Sequence, residues 1–121
     1  MELVKLGLDF TVCKIDSIEQ ADFSREFVFL AKTDDELSLV CESACAPADA
    51  LATEPGWKAL KTSGVLDFGL VGIIAQIASI LAAAEISVFV VSTYNTDYIL
   101  IKSENFDRGV QTLLQHGYAI K

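Results

Sequence analysis

The chain has 121 residues, 52% of them apolar, enough to bury one core or two small subdomains without disulfide or metal staples. Its 17 acids against 9 bases give a formal charge of -8, the wrong sign for displacing counterions from a phosphate backbone, so no nucleic-acid partner is expected. Cys13, Cys41 and Cys45 form an odd set with no CxxC pair, and the opening MELVKLGLDF lacks a secretory layout; a reduced, cytoplasmic protein is expected.

The first half predicts three strands: FTVCKI over residues 10–15, REFVFLAKT over 25–33 and ELSLVCES over 36–43, the last two joined by a turn at Asp34 and Asp35. Its helices are stunted. Nine residues, 16–24, separate the first two strands, and CAPADALATEPG, residues 45–56, leaves room for two helical turns between Pro47 and a stop at Pro55-Gly56. Cys41 and Cys45 have the look of a spaced metal pair. With His116 as the one histidine and no second cysteine pair, a tetrahedral site cannot be completed, and the expectation is no metal and small buried thiols.

The second half opens on WKALKTSG, residues 57–64, which alternates as a strand does and ends at Gly64. From Leu70 a helix follows, with Ile73, Ile74, Ile77, Ile80, Leu81 and Ala84 on one face and Gly72, Gln76, Ser79 and Ala83 on the other. The uncharged run over 68–84 is at the short edge of a membrane span, but Gln76 and Ser79 interrupt it and basic flanks are missing, so a helix covering a sheet is expected and no membrane partner. The small, uncharged outer face calls for something packed against it, most simply a second copy in a homodimer.

ISVFVVS over 86–92 and DYILIK over 97–102 predict a hairpin around a polar turn at 94–96. Ser103 is the candidate cap of a helix carrying Phe106, Val110, Leu113 and Leu114 on one face, with Glu104 and Asp107 near its positive end and Gly117 as its stop. His116 suits the helix C-terminus, and YAI over 118–120 is a last short strand. The order β-α-β-β-α-β over 57–121 is ferredoxin-like. The fold class expected is therefore α+β, two ferredoxin-like halves, residues 1–56 degenerate and 57–121 complete.

Two stretches, DFGLVGIIAQIASILAAAEISVFVVSTYNTDYILIK (67–102) and TDDELSLVCE (33–42), resemble small bacterial proteins built from two ACT-like domains, similar to the domain pairs of the CASTOR-type cytosolic arginine sensors. The resemblance covers nearly the whole chain. It implies a non-catalytic regulatory module without cofactor, dimeric, which binds a small molecule, most often an amino acid, at a domain or subunit interface. The ligand contacts implied are Asp67, Phe68, Gly69, Leu70, Val71 and Gly72 in the loop from first strand to first helix, and Ser92, Thr93, Tyr94, Thr96 and Asp97 at the second strand and its turn.

Physical chemistry gives these residues work to do. Free N–H groups at a helix start suit a carboxylate, and glycine lets it approach the backbone. Between Lys61 and Lys102 the charged residues are Asp67, Glu85 and Asp97; Asp97 is the candidate partner of a ligand amine. Each residue also has a plain structural role to weigh: Asp97 fixing the hairpin, Asp67 capping the helix, the glycines packing, and Ser92, Thr93 and Thr96 serving as turn hydroxyls. Tyr94 can cover the sheet end, and Trp57 can be a core or interface aromatic rather than a pocket wall. No nucleophile-base pair stands out, so no catalytic residue is assigned; an enzyme would have only Asp67 and Asp97 as an acid-base pair. The alternative function is a ligand-free interaction or oligomerisation module of the same fold, acting through an unknown protein partner.

Overall fold

The structure, a computed structural model, describes residues 2–63 and 72–121. Among the described residues, seven strands and two α-helices follow one another as β1 (Glu2–Ile15), β2 (Val28–Lys32), β3 (Leu37–Glu42), β4 (Ala52–Thr62), α1 (Ile73–Ala83), β5 (Val88–Ser92), β6 (Asp97–Lys102), α2 (Ser103–Gln115) and β7 (Ala119–Ile120). They form two compact units: Leu8–Trp57, and the N-terminal segment to Gly7 together with Lys58–Lys121. The fold is α+β.

Strands β1 and β4 each give one part to each unit, and a glycine with positive φ lies beside both crossing points: Gly7 at 72° and Gly56 at 85°. A side chain at either would meet nothing within 4 Å, so the need for glycine is one of backbone conformation and not of space. The expected stop at Pro55-Gly56 is not one. The strand continues through it, because a left-handed glycine lets a strand kink and resume.

In the Leu8–Trp57 unit the strands lie in the order β2-β3-β1-β4. β1 pairs antiparallel with β3 from Phe10 opposite Glu42 to Ile15 opposite Leu37, and Leu51 N–H donates to Lys14 O at 2.8 Å beside it. Cys13, Ile15, Leu39 and Cys41 form its core, with Val28, Leu30, Leu37, Cys45 and Ala46 packed against them. Burial pushes the Cys13 thiol above its ordinary value and takes Cys41 to about 12, the neighbouring thiols of Cys13 and Cys45 adding to the effect. Both are protonated at neutral pH and pack as small apolar groups.

Short 3-10 turns at Ile18–Gln20 and Ser43–Cys45 stand where helices would cover this sheet. The two helical turns expected after Ser43 do not form. Pro47 keeps Ala46 extended, with ψ 131, which ends the turn at Cys45, and β4 already begins at Ala52, so the residues between are too few for two helical turns.

In the Lys58–Lys121 unit the order is β1-β4-β6-β5, with β7 parallel to β1, Glu2 opposite Ala119 and Leu3 opposite Ile120. The last strand of the ferredoxin-like order was expected to be YAI; here the start of β1 lies beside β4 instead, Ser63 N–H donating to Glu2 O at 2.9 Å. Two residues of β7 offer too few ladder bonds to hold that inner place, while residues 2–7 bring a strand with Leu3 fully buried. Leu60, Ile77, Leu81, Ile86, Ile99, Ile101, Phe106, Val110 and Leu113 complete the core. Gly72, Gln76, Ser79 and Ala83 are exposed on the far side of α1, as the helical spacing predicts.

Both helices end in the same six-residue hydrogen-bond pattern. Ile86 and Glu85 N–H return to Leu81 and Ala82 O at 2.9 Å each; Tyr118 and Gly117 N–H return to Leu113 and Leu114 O at 3.2 and 3.1 Å. The left-handed position is Gly117 in α2, at φ 91, but Glu85 in α1, at φ 61. At its start α2 departs from expectation by one residue: Lys102 occupies the cap position, Ser103 is the first helical residue, and no side chain caps.

The hairpins of the two units are in sequence register. β2 and β5 begin at 28 and 88, β3 and β6 at 37 and 97, a shift of 60 in both, and β3 and β6 share one burial pattern.

Candidate functional site

The end of β4 and the start of β6 meet at one end of the sheet in the Lys58–Lys121 unit. Thr62, the last residue of β4, is completely buried, and its hydroxyl accepts the Asp97 N–H at 3.2 Å. The Thr62 and Thr96 hydroxyls are hydrogen-bonded to each other, and Thr96 Oγ1 donates to Thr62 O at 3.0 Å. This pair satisfies polar groups that burial would otherwise penalise.

The β5–β6 turn closes on itself. Thr93 N–H and Thr93 Oγ1 both donate to Thr96 O, at 2.8 and 3.0 Å, and Thr96 N–H returns to Thr93 Oγ1 at 3.4 Å. Thr93 and Thr96 are thus engaged as turn hydroxyls, Thr96 with only 3% exposure. Ser92, directly opposite Asp97 in the ladder, is exposed, and Tyr94 at the turn tip is 80% exposed.

Asp97 differs from its neighbours. It is half-buried and makes its hydrogen bonds through its backbone; among the described residues none, and no ion pair, reaches the carboxylate. At the 60-residue shift its counterpart is Leu37, an apolar residue packed on the thiol-lined core. An acid therefore stands where the other hairpin keeps a leucine.

Gly72 is exposed and caps α1 in a left-handed conformation, φ 79 and ψ 8, its carbonyl accepting Gln76 N–H at 2.9 Å. The cap position of α1 is Gly72's. Asp67, Phe68, Gly69, Leu70 and Val71 lie outside the described residues. The structure thus brings Ser92, Thr93, Tyr94, Thr96 and Asp97 to one sheet end with Thr62, a residue that sequence reasoning passed over; its one signal was a threonine sharing a strand face with Leu60. Also unforeseen is a tie from α1 to the chain's last turn, Tyr118 OH donating to Gln76 Oε1 at 3.0 Å. His116 holds Thr112 O at 2.9 Å as a helix-end residue, and Trp57 donates its indole N–H to Glu54 O at 3.0 Å.

The corresponding corner of the Leu8–Trp57 unit is built from other groups. Ile15 stands opposite Leu37, and beyond it the Asp16 and Ser17 N–H groups both donate to Gln20 Oε1 at 3.0 Å. Gln20 Nε2 in turn donates to Asp49 O at 3.2 Å. The turn of this hairpin repeats the other: Thr33 N–H donates to Glu36 O at 2.9 Å, and Thr33 Oγ1 accepts Asp35 and Glu36 N–H at 3.2 Å each.

Against known proteins, the ACT domain family matches residues 52–115, more than half the chain, from the first residue of β4 to the last of α2. The chain belongs to the ACT domain family. This ACT protein is 37% identical over 71 residues to the cytosolic arginine sensor for mTORC1 subunit 1 of Homo sapiens and of Bos taurus, a match over 55% of the chain. It spans only 22% of the length of those curated relatives. Among solved structures, the Agobacterium tumefaciens protein Atu0741 is similar over 99% of this chain and 91% of its own, with 31% identity and a TM-score of 0.89. The regulatory subunit of aspartate kinase from Thermus thermophilus, at 10% identity, covers 93% of this chain and 95% of its own with a TM-score of 0.64, a likeness of fold. ACT domains are regulatory ligand-binding modules. Among the described residues of this one, no helix is long and apolar enough to cross a membrane.

Proposed function

We propose that this ACT protein is a non-catalytic regulatory module that binds a free amino acid at the β4–β6 sheet end, acting in the cytoplasm as a homodimer. The observation that carries the reading is Asp97: a half-buried acidic residue beside a buried threonine pair, at the hairpin position where the other unit has leucine. A carboxylate there suits a ligand amine, and a half-desolvated ion pair is stronger than one in open water. The ligand's own carboxylate is assigned to backbone N–H groups of the loop carrying Asp67, Phe68, Gly69, Leu70, Val71 and Gly72, with Ser92, Thr93 and Tyr94 forming the opposite rim and Thr96 buried beneath it. The curated relatives named as arginine sensors support an amino acid as the class of ligand.

We read the chain as two ACT-type halves, residues 1–56 and 57–121, with the chain's first strand segment serving the second. The matching strand orders and the 60-residue spacing of the hairpins support this. A homodimer is favoured by the outer face of α1, where Ala75, Gln76, Ser79, Ala82 and Ala83 are exposed and uncharged.

Thermal unfolding against the twenty free amino acids tests the reading. A ligand at a hundred times its Kd adds about 2.7 kcal/mol and raises the midpoint by several degrees. One amino acid or a related few should do so, and Asp97→Ala should remove the shift while leaving the apo midpoint and the molar mass by light scattering unchanged. No shift with any of the twenty would leave the interaction module as the reading.

A further inference from the structure

Each hairpin leaves one strand at the end of its unit's sheet order, β2 in the Leu8–Trp57 unit and β5 in the Lys58–Lys121 unit, and the two edges differ in charge. Resting on the homodimer reading above, we infer that a second copy of this chain pairs with the β5 edge, strand against strand and antiparallel, with Val90 on the twofold axis.

The turns decide which backbone groups face outward. Thr93 N–H donates to Thr96 O at 2.8 Å, so the alternation of an antiparallel ladder turns Phe89 and Val91 toward β6 and Val88, Val90 and Ser92 away from it. The Asp97 N–H agrees: opposite Ser92, it points away from β5 to the Thr62 hydroxyl. In the other unit Thr33 N–H donates to Glu36 O at 2.9 Å, and the same alternation turns Val28, Leu30 and Lys32 outward. Both edges thus offer the same row of donors and acceptors to an added strand. At the 60-residue shift their sequences part: residues 25–36 carry Arg25, Glu26, Lys32, Asp34, Asp35 and Glu36, while residues 85–96 carry Glu85 alone. Charge on the edge, lysine above all, is what keeps a strand from pairing further, and Ser92 stands where β2 has Lys32.

A second copy is the strand that fits. With 17 acids against 9 bases the chain repels itself wherever acids meet, yet from Gly72 to Thr96 its one charge is Glu85. Antiparallel pairing about Val90 sets Val88 against the partner's Ser92 and leaves the two Glu85 residues at opposite ends of the paired strands. The surface also continues beyond the strand. Val88 packs on the core under α1, and an open groove lined by Ala78, Ala82, Glu85, Ile86, Ser87 and Val88 joins the β5 edge to the exposed small residues of that helix. Strand pairing therefore brings the two outer faces of α1 toward each other, and alanine and serine there let the helices approach closely. A short foreign peptide would pair with the edge and leave the α1 face uncovered.

The test is on the full chain without ligand, so neither result touches the amino-acid reading. Light scattering should give twice the 13.1 kDa chain mass for the wild type. It should give the single chain mass for Val90→Lys, which sets two lysines against each other, and for Ala82→Glu, which puts an acid in the groove. Single-residue hydrogen exchange by mass spectrometry reads the edge itself and needs no variant. At a hundred times the dimer Kd the Val90 amide should exchange about tenfold slower than in protein diluted below it, while Phe89 and Val91, bonded to β6, stay slow in both. A dimer whose Val88 and Val90 amides exchange as fast as in the dilute monomer overturns the β5 interface and leaves the homodimer to another face. A monomer at every concentration overturns this inference and the homodimer reading together. Undiminished dimer mass in both variants overturns the β5 interface as well, and should either variant fail to fold, the wild-type exchange still decides.

Discussion

The Asp97 N–H lies 3.2 Å from the Thr62 hydroxyl, a bond that ties the last residue of β4 to the first of β6. It fixes the direction in which β6 leaves the turn, and with it the place of the Asp97 carboxylate.

Thr62→Val keeps the volume of the buried side chain but leaves the Asp97 N–H without its acceptor and the Thr96 hydroxyl without its neighbour. The expected loss is about 1–3 kcal/mol, the usual cost of stranding a polar group. Urea unfolding should show a lower midpoint with an unchanged slope. Thr62→Ser, which keeps the hydroxyl, should lose less than half as much; a larger loss for Thr62→Ser than for Thr62→Val would mean that packing of the methyl group, not the hydrogen bonds, holds this corner.

Glu85 stands at the one non-glycine position with positive φ among the described residues, 61°, at the end of α1. For a residue with a Cβ that conformation costs about 1–2 kcal/mol, part of which glycine gives back through its freer unfolded state. Glu85→Gly should therefore raise stability by about 0.5–1 kcal/mol, whereas Glu85→Ala keeps the strain and should not. Thermal midpoints of the two variants side by side decide it. Arg108 continues to hold that helix end through Nη1 to Ala84 O at 2.6 Å in both.

Much of this was legible in the sequence because it rests on periodicity. Ile73, Ile74, Ile77, Ile80 and Leu81 recur at helical spacing and do face the core, and the hairpin of β5 and β6 follows from two β-branched runs around a polar turn. What was not legible depends on long-range partners. Residues 2–7 carry the same alternation wherever they pair, so nothing local in them says that they lie beside β4 with the second unit. Likewise Pro55-Gly56 reads as a breaker, and only the strand pairing on both sides turns it into a kink within β4. At the site, Asp97 stood out as a charge in an apolar stretch, while Thr62 did not, since its role exists only through Thr96 and Asp97 some 34 and 35 residues away.

Gly56 offers a test of that kink. Gly56→Ala introduces a side chain that has room, with nothing within 4 Å, into a conformation that it disfavours, φ 85. The expected loss is about 1–2 kcal/mol in urea unfolding, from strain alone. Gly56→Asn, which tolerates positive φ better, should lose less. Equal stability of the alanine variant and the wild type would show that β4 does not need the left-handed turn to pass from one unit to the other.

The buried thiols set a pH window. Cys41 is raised from an ordinary 9.0 to about 12 by burial first, then by Cys13 and Cys45; Cys13 is raised as well, again by burial. A thiol whose folded value lies above its unfolded one keeps its proton longer in the folded state, so its contribution is fully present below pH 9 and is lost as pH rises from 9 toward 12. Stability should be level in this respect up to pH 9 and then fall, and Cys41→Ala should fall less steeply, since one of the titrating groups is gone. The Cys41→Ala cavity lowers stability at every pH, so the measurement is the slope of unfolding free energy against pH from 9 to 11, not its level. Parallel slopes for the variant and the wild type would mean that the Cys41 thiol titrates alike in the folded and unfolded chain.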